Sequence, residues 1–532
     1  MNHPTAGVDD QRRLIRSLGN PALYGVTETR LIETHISYVI LTGQYAYKIK
    51  KAVNLEFLDF TTLAARRFYC EQELRLNRRL APTIYLDIVA ITGAAENPEI
   101  NGPGPVIEYA VRMREFPQEA LLPQVLLRNE LTNRHIDELA AKVAAFHALA
   151  APLPANSLFG TPGDILELAL QNFTQIEPLL EDAADRAELD ELRRWTENEH
   201  VARATRFDER RRAGFVRECH GDLHLGNIAL VNDEITIFDC IEFNDRMRWD
   251  DVMSDVAFLV MDLQDRRRPA FGSRFLNAYL ESTGDYAGVQ VLRFYTVYRA
   301  MVRAKVTRMR ARQSTDLQVR TEQIREYRGY VKLAKQYARP PRPGLVITHG
   351  AAGSGKTTWT QELLELVGAI RIRTDVERKR RHGLPARSRS RSGLEAGLYT
   401  AAETENTYAH VRSLTAQILA GGYVAIVDGT FLHRWQRNLF KTLAAEQNAQ
   451  FVIADFAASE ATLRARVEKR QTTSLDASEA DTTVLELQLK SAEVLASDEQ
   501  LFAVTIDTEA HERGPEAWRP LLDRLGFRTV VS

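Results

Sequence analysis

Gly350-Ala351-Ala352-Gly353-Ser354-Gly355-Lys356-Thr357 is a glycine-rich octet ending in lysine and threonine, and its flanks decide how it folds. Before it, Leu345-Val346-Ile347 is an apolar, β-prone run; after it, residues 359–367 show helical periodicity. A strand, a glycine loop and a helix in that order make a phosphate cradle. The glycines let backbone N–H groups wrap an anion, and the positive end of the helix faces it. In such a loop Lys356 reaches the β- and γ-phosphates of ATP, and Thr357 turns its hydroxyl toward Mg²⁺. The whole octet, with the following Thr358, is therefore the expected nucleotide contact.

Outward from this loop, strand-like runs at 345–348, 369–373, 423–427, 451–456 and 502–506 alternate with helical stretches. That rhythm predicts a parallel sheet flanked by helices. Asp428 ends one strand, where a carboxylate assists the metal or the acceptor, or else caps the next helix. Asp375 follows another strand, as an acceptor contact or a plain strand-end aspartate. Arg466 and Arg470 are four apart and share a helix face, suited to closing on a transferring phosphate or to lying in solvent. Between 371 and 391 lies a basic segment containing Arg378-Lys379-Arg380-Arg381 and an Arg-Ser alternation at 387–392. It has no interleaved aromatics for stacking bases, which favours a solvated loop over a nucleic-acid grip.

Upstream, Arg339-Pro340-Pro341-Arg342-Pro343-Gly344 removes backbone donors and stops a helix, marking a boundary. The expected organisation is a domain over 1–338, a linker over 339–344 and a domain over 345–532, the two halves folding separately. Residues 30–53 alternate as strands, 61–80 as a helix, and 106–113 as a strand running into Arg114-Glu115-Phe116-Pro117, a hinge. Helical patterns cover 131–151, 165–204 and 295–337.

The first domain contains His220-Gly221-Asp222-Leu223-His224-Leu225-Gly226-Asn227, followed by Ile237-Phe238-Asp239. Phosphoryl transfer needs an aligned hydroxyl, neutralised phosphates and little covalent help. Asp222 suits a group that orients the hydroxyl and takes its proton. Asn227 and Asp239, the latter at the end of an apolar run, suit Mg²⁺ ligands. His220 reads as a structural member of the loop.

These motifs resemble the aminoglycoside phosphotransferase and choline kinase family, over about residues 25–335, with acidic residues continuing in Trp249-Asp250-Asp251-Val252-Met253-Ser254-Asp255. The resemblance implies a bilobal protein-kinase-like fold, a strand lysine on the phosphates and a helix glutamate orienting it. By position these are Lys48, with Lys50 and Lys51 as competitors, and Glu73 in preference to Glu71. No GxGxxG precedes Lys48; the phosphate-covering turn is Thr34-His35-Ile36-Ser37. The second half resembles gluconate kinases, zeta-type toxins and the kinase part of polynucleotide kinases, and predicted kinases fused to phosphotransferase-like domains in bacterial genomes.

The fold class expected is thus α/β and α+β in two domains, a bilobal kinase-like fold followed by a P-loop parallel sheet. A formal charge of −2 over 532 residues gives no general attraction to nucleic acid or anionic membrane. Three cysteines without CxxC spacing indicate neither a zinc site nor a disulfide framework. No signal peptide or membrane span is read, so the cytoplasm is the default. The expected function is an ATP- and Mg²⁺-dependent kinase with two nucleotide sites, the first phosphorylating an alcohol group of a small molecule and the second acting as a kinase or ATPase. Alternatives are a nucleic-acid 5′-hydroxyl kinase at the P-loop, and a regulatory ATPase with a ligand-binding kinase-like domain. Neither the acceptor nor the oligomeric state follows from the sequence.

Overall fold

The computed structural model describes residues 8–55, 58–154, 156–339, 342–386, 388, 400–473, 480–509 and 514–527. The chain forms two compact units. One comprises residues up to Glu138, Ala145–Asp164 and Arg210–Leu259; the other comprises Leu139–Ala144, Ile165–Glu209 and everything from Val260.

In the first unit the alternating stretch becomes β1 (Arg30–Glu33), β2 (Ser37–Leu41) and β3 (Tyr45–Lys50). With β4 (Tyr85–Ala94), β5 (Asn97–Ile100) and β6 (Val106–Arg114) they build an antiparallel sheet of order β1-β2-β3-β6-β4-β5. Period-two alternation sorts the side chains. Tyr38, Ile40, Tyr47 and Ile49 pack with Leu14 and Leu18 of α1 (Val8–Leu18), a helix against one face. Lys48 and Lys50 point to the other face, where Val111, paired with Lys48, meets Cys70 of α2 (Leu63–Asn77). The Thr62 hydroxyl caps α2 by accepting from the Ala65 N–H.

A two-stranded hairpin, β7 (Ile228–Val231) and β8 (Glu234–Ile237), follows the His220–Asn227 segment. Its tip residues Asn232 and Asp233 both have positive φ, 52° and 64°, the requirement of a type I′ turn. Register then does the chemical work. Ile228 pairs with Ile237, and the Phe238 N–H donates to the Asn227 carbonyl at 3.0 Å. Asn227 and Asp239, twelve apart in sequence, are brought together at the open end of the hairpin.

The second unit holds β9 (Gly344–His349), β10 (Ile370–Arg373), β11 (Ala425–Asp428), β12 (Gln450–Ala457) and β13 (Ala503–Asp507), parallel in the order β10-β11-β9-β12-β13. Leu345, Val346 and Ile347 are fully buried, as a central parallel strand covered on both faces must be. Trp359, Leu363 and Trp518 fill one side, with the two indoles packed edge to face at 6.0 Å.

Much of the helical chain before the proline segment, Ile165–Glu209 and the residues from Val260 on, joins this unit rather than standing apart from it. The stretch 165–204 breaks into Pro162–Ile176 and Ala183–Arg212, with Pro178 in the intervening turn because it lacks the N–H a continuous helix needs. α3 (Val252–Asp265), whose residues up to Leu259 belong to the first unit, and α4 (Pro269–Thr283) follow, the latter lying along β10 and carrying Asn277. In α5 (Val289–Gln313), Arg293 donates to the carbonyls of Gly421 at 3.0 Å and Gly422 at 2.6 Å. The chain's compact division therefore departs from the sequence boundary at 339–344, of which Pro340 and Pro341 lie outside the described residues. Among the described residues, no helix is long and apolar enough to cross a membrane.

Candidate active sites

Lys48 extends from β3 to the Glu73 carboxylate at 2.7 Å and to Asp239 at 2.5 Å. Three sequence-predicted residues from a strand, a helix and a post-hairpin loop thus meet. Burial works against the Lys48 charge, but Asp239 and then Glu73 outweigh it and hold its pKa well above the ordinary value. Glu73 is likewise buried, and Lys48 and Lys50 keep it ionised, below the usual carboxylate range. Glu71, the alternative, pairs instead with Arg67 on the surface. Lys51 also turns away, to Glu33.

Lys50 is not a bystander. Its ammonium is fully buried, 2.5 Å from the second oxygen of Glu73, and also paired with Glu242. Sequence reasoning missed Glu242 entirely and treated Lys50 only as a rival of Lys48. The available signal was the period of two, which puts Lys48 and Lys50 on one face of a strand.

The loop carrying Asp239 has a positive φ of 64° at that residue. It is held from behind: the Cys240 N–H donates to Asn77 Oδ1 at 2.9 Å, and the Ile241 N–H to the His220 carbonyl at 3.0 Å. Asn227 donates through Nδ2 to the Asp222 carboxylate at 3.1 Å and carbonyl at 3.0 Å, so its Oδ1 is the atom that could serve a metal. His224 Nε2 lies 3.4 Å from the same Asp222 carboxylate.

His220 has the structural role expected. Its Nδ1 accepts from the Asp222 N–H at 3.3 Å, so its Nε2 carries the proton donated to the Phe238 carbonyl at 2.9 Å. Asp255, fully buried on α3, accepts from the N–H groups of His220 at 2.8 Å and Gly221 at 3.0 Å. Asp251 is gripped by both arms of Arg210. These acidic residues shape the loop. The turn between β1 and β2 needs no glycine because the Thr34 hydroxyl accepts from the Ser37 N–H at 2.9 Å.

Asp222, Asn227 and Asp239 offer oxygen atoms, the donors that Mg²⁺ takes, and the Asp239 side chain is 42% exposed. The residues fit the ion.

In the second unit the octet joins β9 to α6 (Lys356–Val367). Gly350 and Gly353 have φ of 140° and 84°; a Cβ at Gly353 would stand 2.8 Å from the Leu463 carbonyl. Lys356 folds back over the loop, donating to the carbonyls of Gly350 and Ala351 at 2.8 Å each. Burial brings its pKa down to about 8, against the opposing charges of Asp428 and Asp375. The Thr357 hydroxyl donates to Asp428 at 2.7 Å. Two oxygen donors side by side fit a hard cation here also. Thr358 is exposed on α6.

Asp375 begins α7 (Thr374–Arg381) and is half-buried. Arg466, on α8 (Glu460–Thr473), donates to the Gly353 carbonyl at 3.3 Å and the Thr508 hydroxyl at 2.9 Å; Arg470 donates to the Ala480 carbonyl at 2.9 Å. Both arginines are anchored, and Arg466 touches the phosphate loop itself. Sequence reasoning missed Arg371 and Arg373. Buried Arg371 donates to the Thr357 carbonyl at 2.9 Å, and Arg373 lies between Glu281 and Asp428 at 3.3 and 3.9 Å.

The basic run differs from the solvated loop expected. Arg378 and Lys379 are buried at the end of α7, Arg380 pairs with Glu377, and Arg381 pairs with Glu403. The helix supplies i,i+3 and tertiary partners that a reading of charge alone does not see. Of the Arg-Ser alternation only Ser388 falls among the described residues.

Two family models match the chain: the phosphotransferase enzyme family over residues 68–292 and an AAA domain over residues 345–495. The uncharacterized protein Rv2004c of Mycobacterium tuberculosis H37Rv is 31% identical over 423 residues, 79% of this chain and 82% of that protein; Mb2027c of Mycobacterium bovis matches equally. Among solved structures, ADP-bound aminoglycoside phosphotransferase APH(2'')-Ib has a TM-score of 0.36 at 16% identity, covering 61% of this chain and 98% of its own. A choline/ethanolamine kinase family protein from Mesorhizobium loti has a TM-score of 0.37 at 10% identity, covering 62% and 98%. A gluconokinase from Sinorhizobium meliloti has a TM-score of 0.26 at 20% identity, covering 35% and 93%.

Proposed function

The chain belongs to the family of the mycobacterial protein Rv2004c and is a phosphotransferase with two kinase-type domains; from that premise we propose that each domain has its own Mg²⁺–ATP site and that the first phosphorylates a hydroxyl group of a small molecule. The observation that carries this reading is the meeting of Lys48, Glu73 and Asp239 beside the hydrogen-bonded pair Asp222 and Asn227.

Asp222 aligns the acceptor hydroxyl and takes its proton as the oxygen bonds to the γ-phosphorus of ATP, with ADP as the leaving group. Lys48, oriented by Glu73, holds the phosphates. Asn227 and Asp239 would hold Mg²⁺, which when bound neutralises phosphate charge. At the second site Lys356 holds the phosphates, and Thr357 with Asp428 would hold the ion. The functional domains on this reading are 1–338 and 345–532, joined by 339–344, although their compact packing is shared. The paired state of Arg378–Arg381 favours a small acceptor over a polynucleotide at the second site.

The test is a metabolite screen with labelled ATP on the whole protein, repeated with Asp222→Ala and with Lys356→Ala. A labelled alcohol phosphate lost with Asp222→Ala and kept with Lys356→Ala supports the reading. Transfer indifferent to Asp222 would refute it.

A further inference from the structure

The first site contains more buried charge than a lysine–glutamate pair needs. Lys48 and Lys50 lie on one face of β3 and share the two oxygens of Glu73, at 2.7 and 2.5 Å. Lys48 continues to Asp239, Lys50 to Glu242, and three peptide bonds join those two acids, closing a ring. Lys50, Glu73 and Glu242 have side chains 0%, 0% and 3% exposed.

Such a ring is costly to bury, and replacing an internal ion pair by apolar side chains of similar volume is often neutral or stabilising. Stability alone gives no reason for Lys50 and Glu242. Their placement does. Lys48 tethers Asp239 directly, whereas on the nucleotide-site reading Lys48 serves the phosphates and Asp239 the cation. The Lys50–Glu242 pair is buried and on that reading has no part in either contact.

We propose that Lys50 and Glu242 are positioning residues, a permanent tether fastening the Asp239 loop to the strand and helix that carry Lys48 and Glu73. It fixes where the Asp239 carboxylate meets the metal after Lys48 has let go. The proposal rests on the reading of this cleft as a Mg²⁺–nucleotide site.

The test uses the full chain with the second site silenced by Lys356→Ala and Thr357→Ala, a fluorescent ADP analogue as probe, and titrations with and without Mg²⁺. Adding Lys50→Met with Glu242→Leu is expected to leave the melting temperature within about 5 °C of the silenced parent. The Mg²⁺ concentration for half-maximal binding should rise about tenfold or more, while metal-free affinity changes less than about threefold. An unchanged Mg²⁺ requirement, or equal weakening with and without Mg²⁺, overturns the proposal. Glu242→Gln, which keeps shape and removes charge, is judged by the same readings and decides the matter if the double variant does not fold. A silenced parent that binds no probe, with or without Mg²⁺, refutes the nucleotide-site reading itself. A parent that binds while both variants match it refutes only the tether.

Discussion

Asn277 uses both ends of its side-chain amide on the strand that bears Arg371: its Oδ1 accepts from the Arg371 N–H at 2.7 Å and its Nδ2 donates to the Ala369 carbonyl at 2.9 Å. β10 is the edge of the parallel sheet, and this amide takes the place of a further strand. Asn277 is itself buried, so Asn277→Ala leaves a backbone donor and acceptor unsatisfied. The expected loss is about 2–6 kcal/mol, from roughly 1–3 kcal/mol for each of the two orphaned buried groups. Urea denaturation checks it; a change below a few tenths would show that water replaces the amide freely.

The same contact bears on the domains. Cutting the chain within 339–344, at an inserted protease site, divides α4 from the sheet edge it meets through Asn277 and α5 from the Gly421–Gly422 turn it meets through Arg293. The two pieces are expected to co-elute from a sizing column without denaturant. Pieces that separate spontaneously and each remain folded would instead support independent halves.

The acids of the first site should separate by role. Asp222→Ala is expected to lower transfer by about 10²–10⁴, the usual contribution of a positioned general base, with nucleotide affinity within about threefold. Asp239→Ala should instead weaken Mg²⁺-dependent nucleotide binding, because it removes a metal ligand and the partner of Lys48. Isothermal titration and a transfer assay, both with Lys356→Ala present, distinguish the two. Equal loss of binding in both variants would contradict the assignment.

At the second site, the sign of the pH dependence follows from Lys356. Burial lowers its pKa to about 8 from 10.5, so above that value the ligand-free loop holds a neutral amine. Phosphate binding needs the ammonium, and affinity should fall by up to about tenfold per pH unit above 8. The unfolded chain binds the proton more tightly than the folded one, so this group's contribution to ligand-free stability rises between about 8 and 10.5. Measured with Asp239→Ala to isolate the site, a flat profile from pH 7 to 9.5 would contradict the burial of this ammonium. Lys356→Ala removes charge-assisted hydrogen bonds worth about 1.5–3 kcal/mol each and should abolish the pH dependence.

What the sequence determined by itself is the chemistry that local order can carry. An octet with three glycines between an apolar run and a helix folds as a strand–loop–helix turn, and Asn227 and Asp239 are brought together by a hairpin whose strands and turn lie within twelve residues. The Lys48–Glu73 pairing was legible too, through the resemblance to a kinase-like family. Tertiary structure alone decided the rest. Glu242 acquires meaning only because β3 and α2 put Lys50 and Glu73 against it. Asn277 matters only because an edge strand's open backbone lies beside α4. The basic run at 378–381 reads as a free patch until Glu377 and Glu403 close on it. Each is a pairing between residues remote in the chain or on a face fixed by folding, and the energy that selects it, desolvation balanced by a partner, does not exist until the chain is compact.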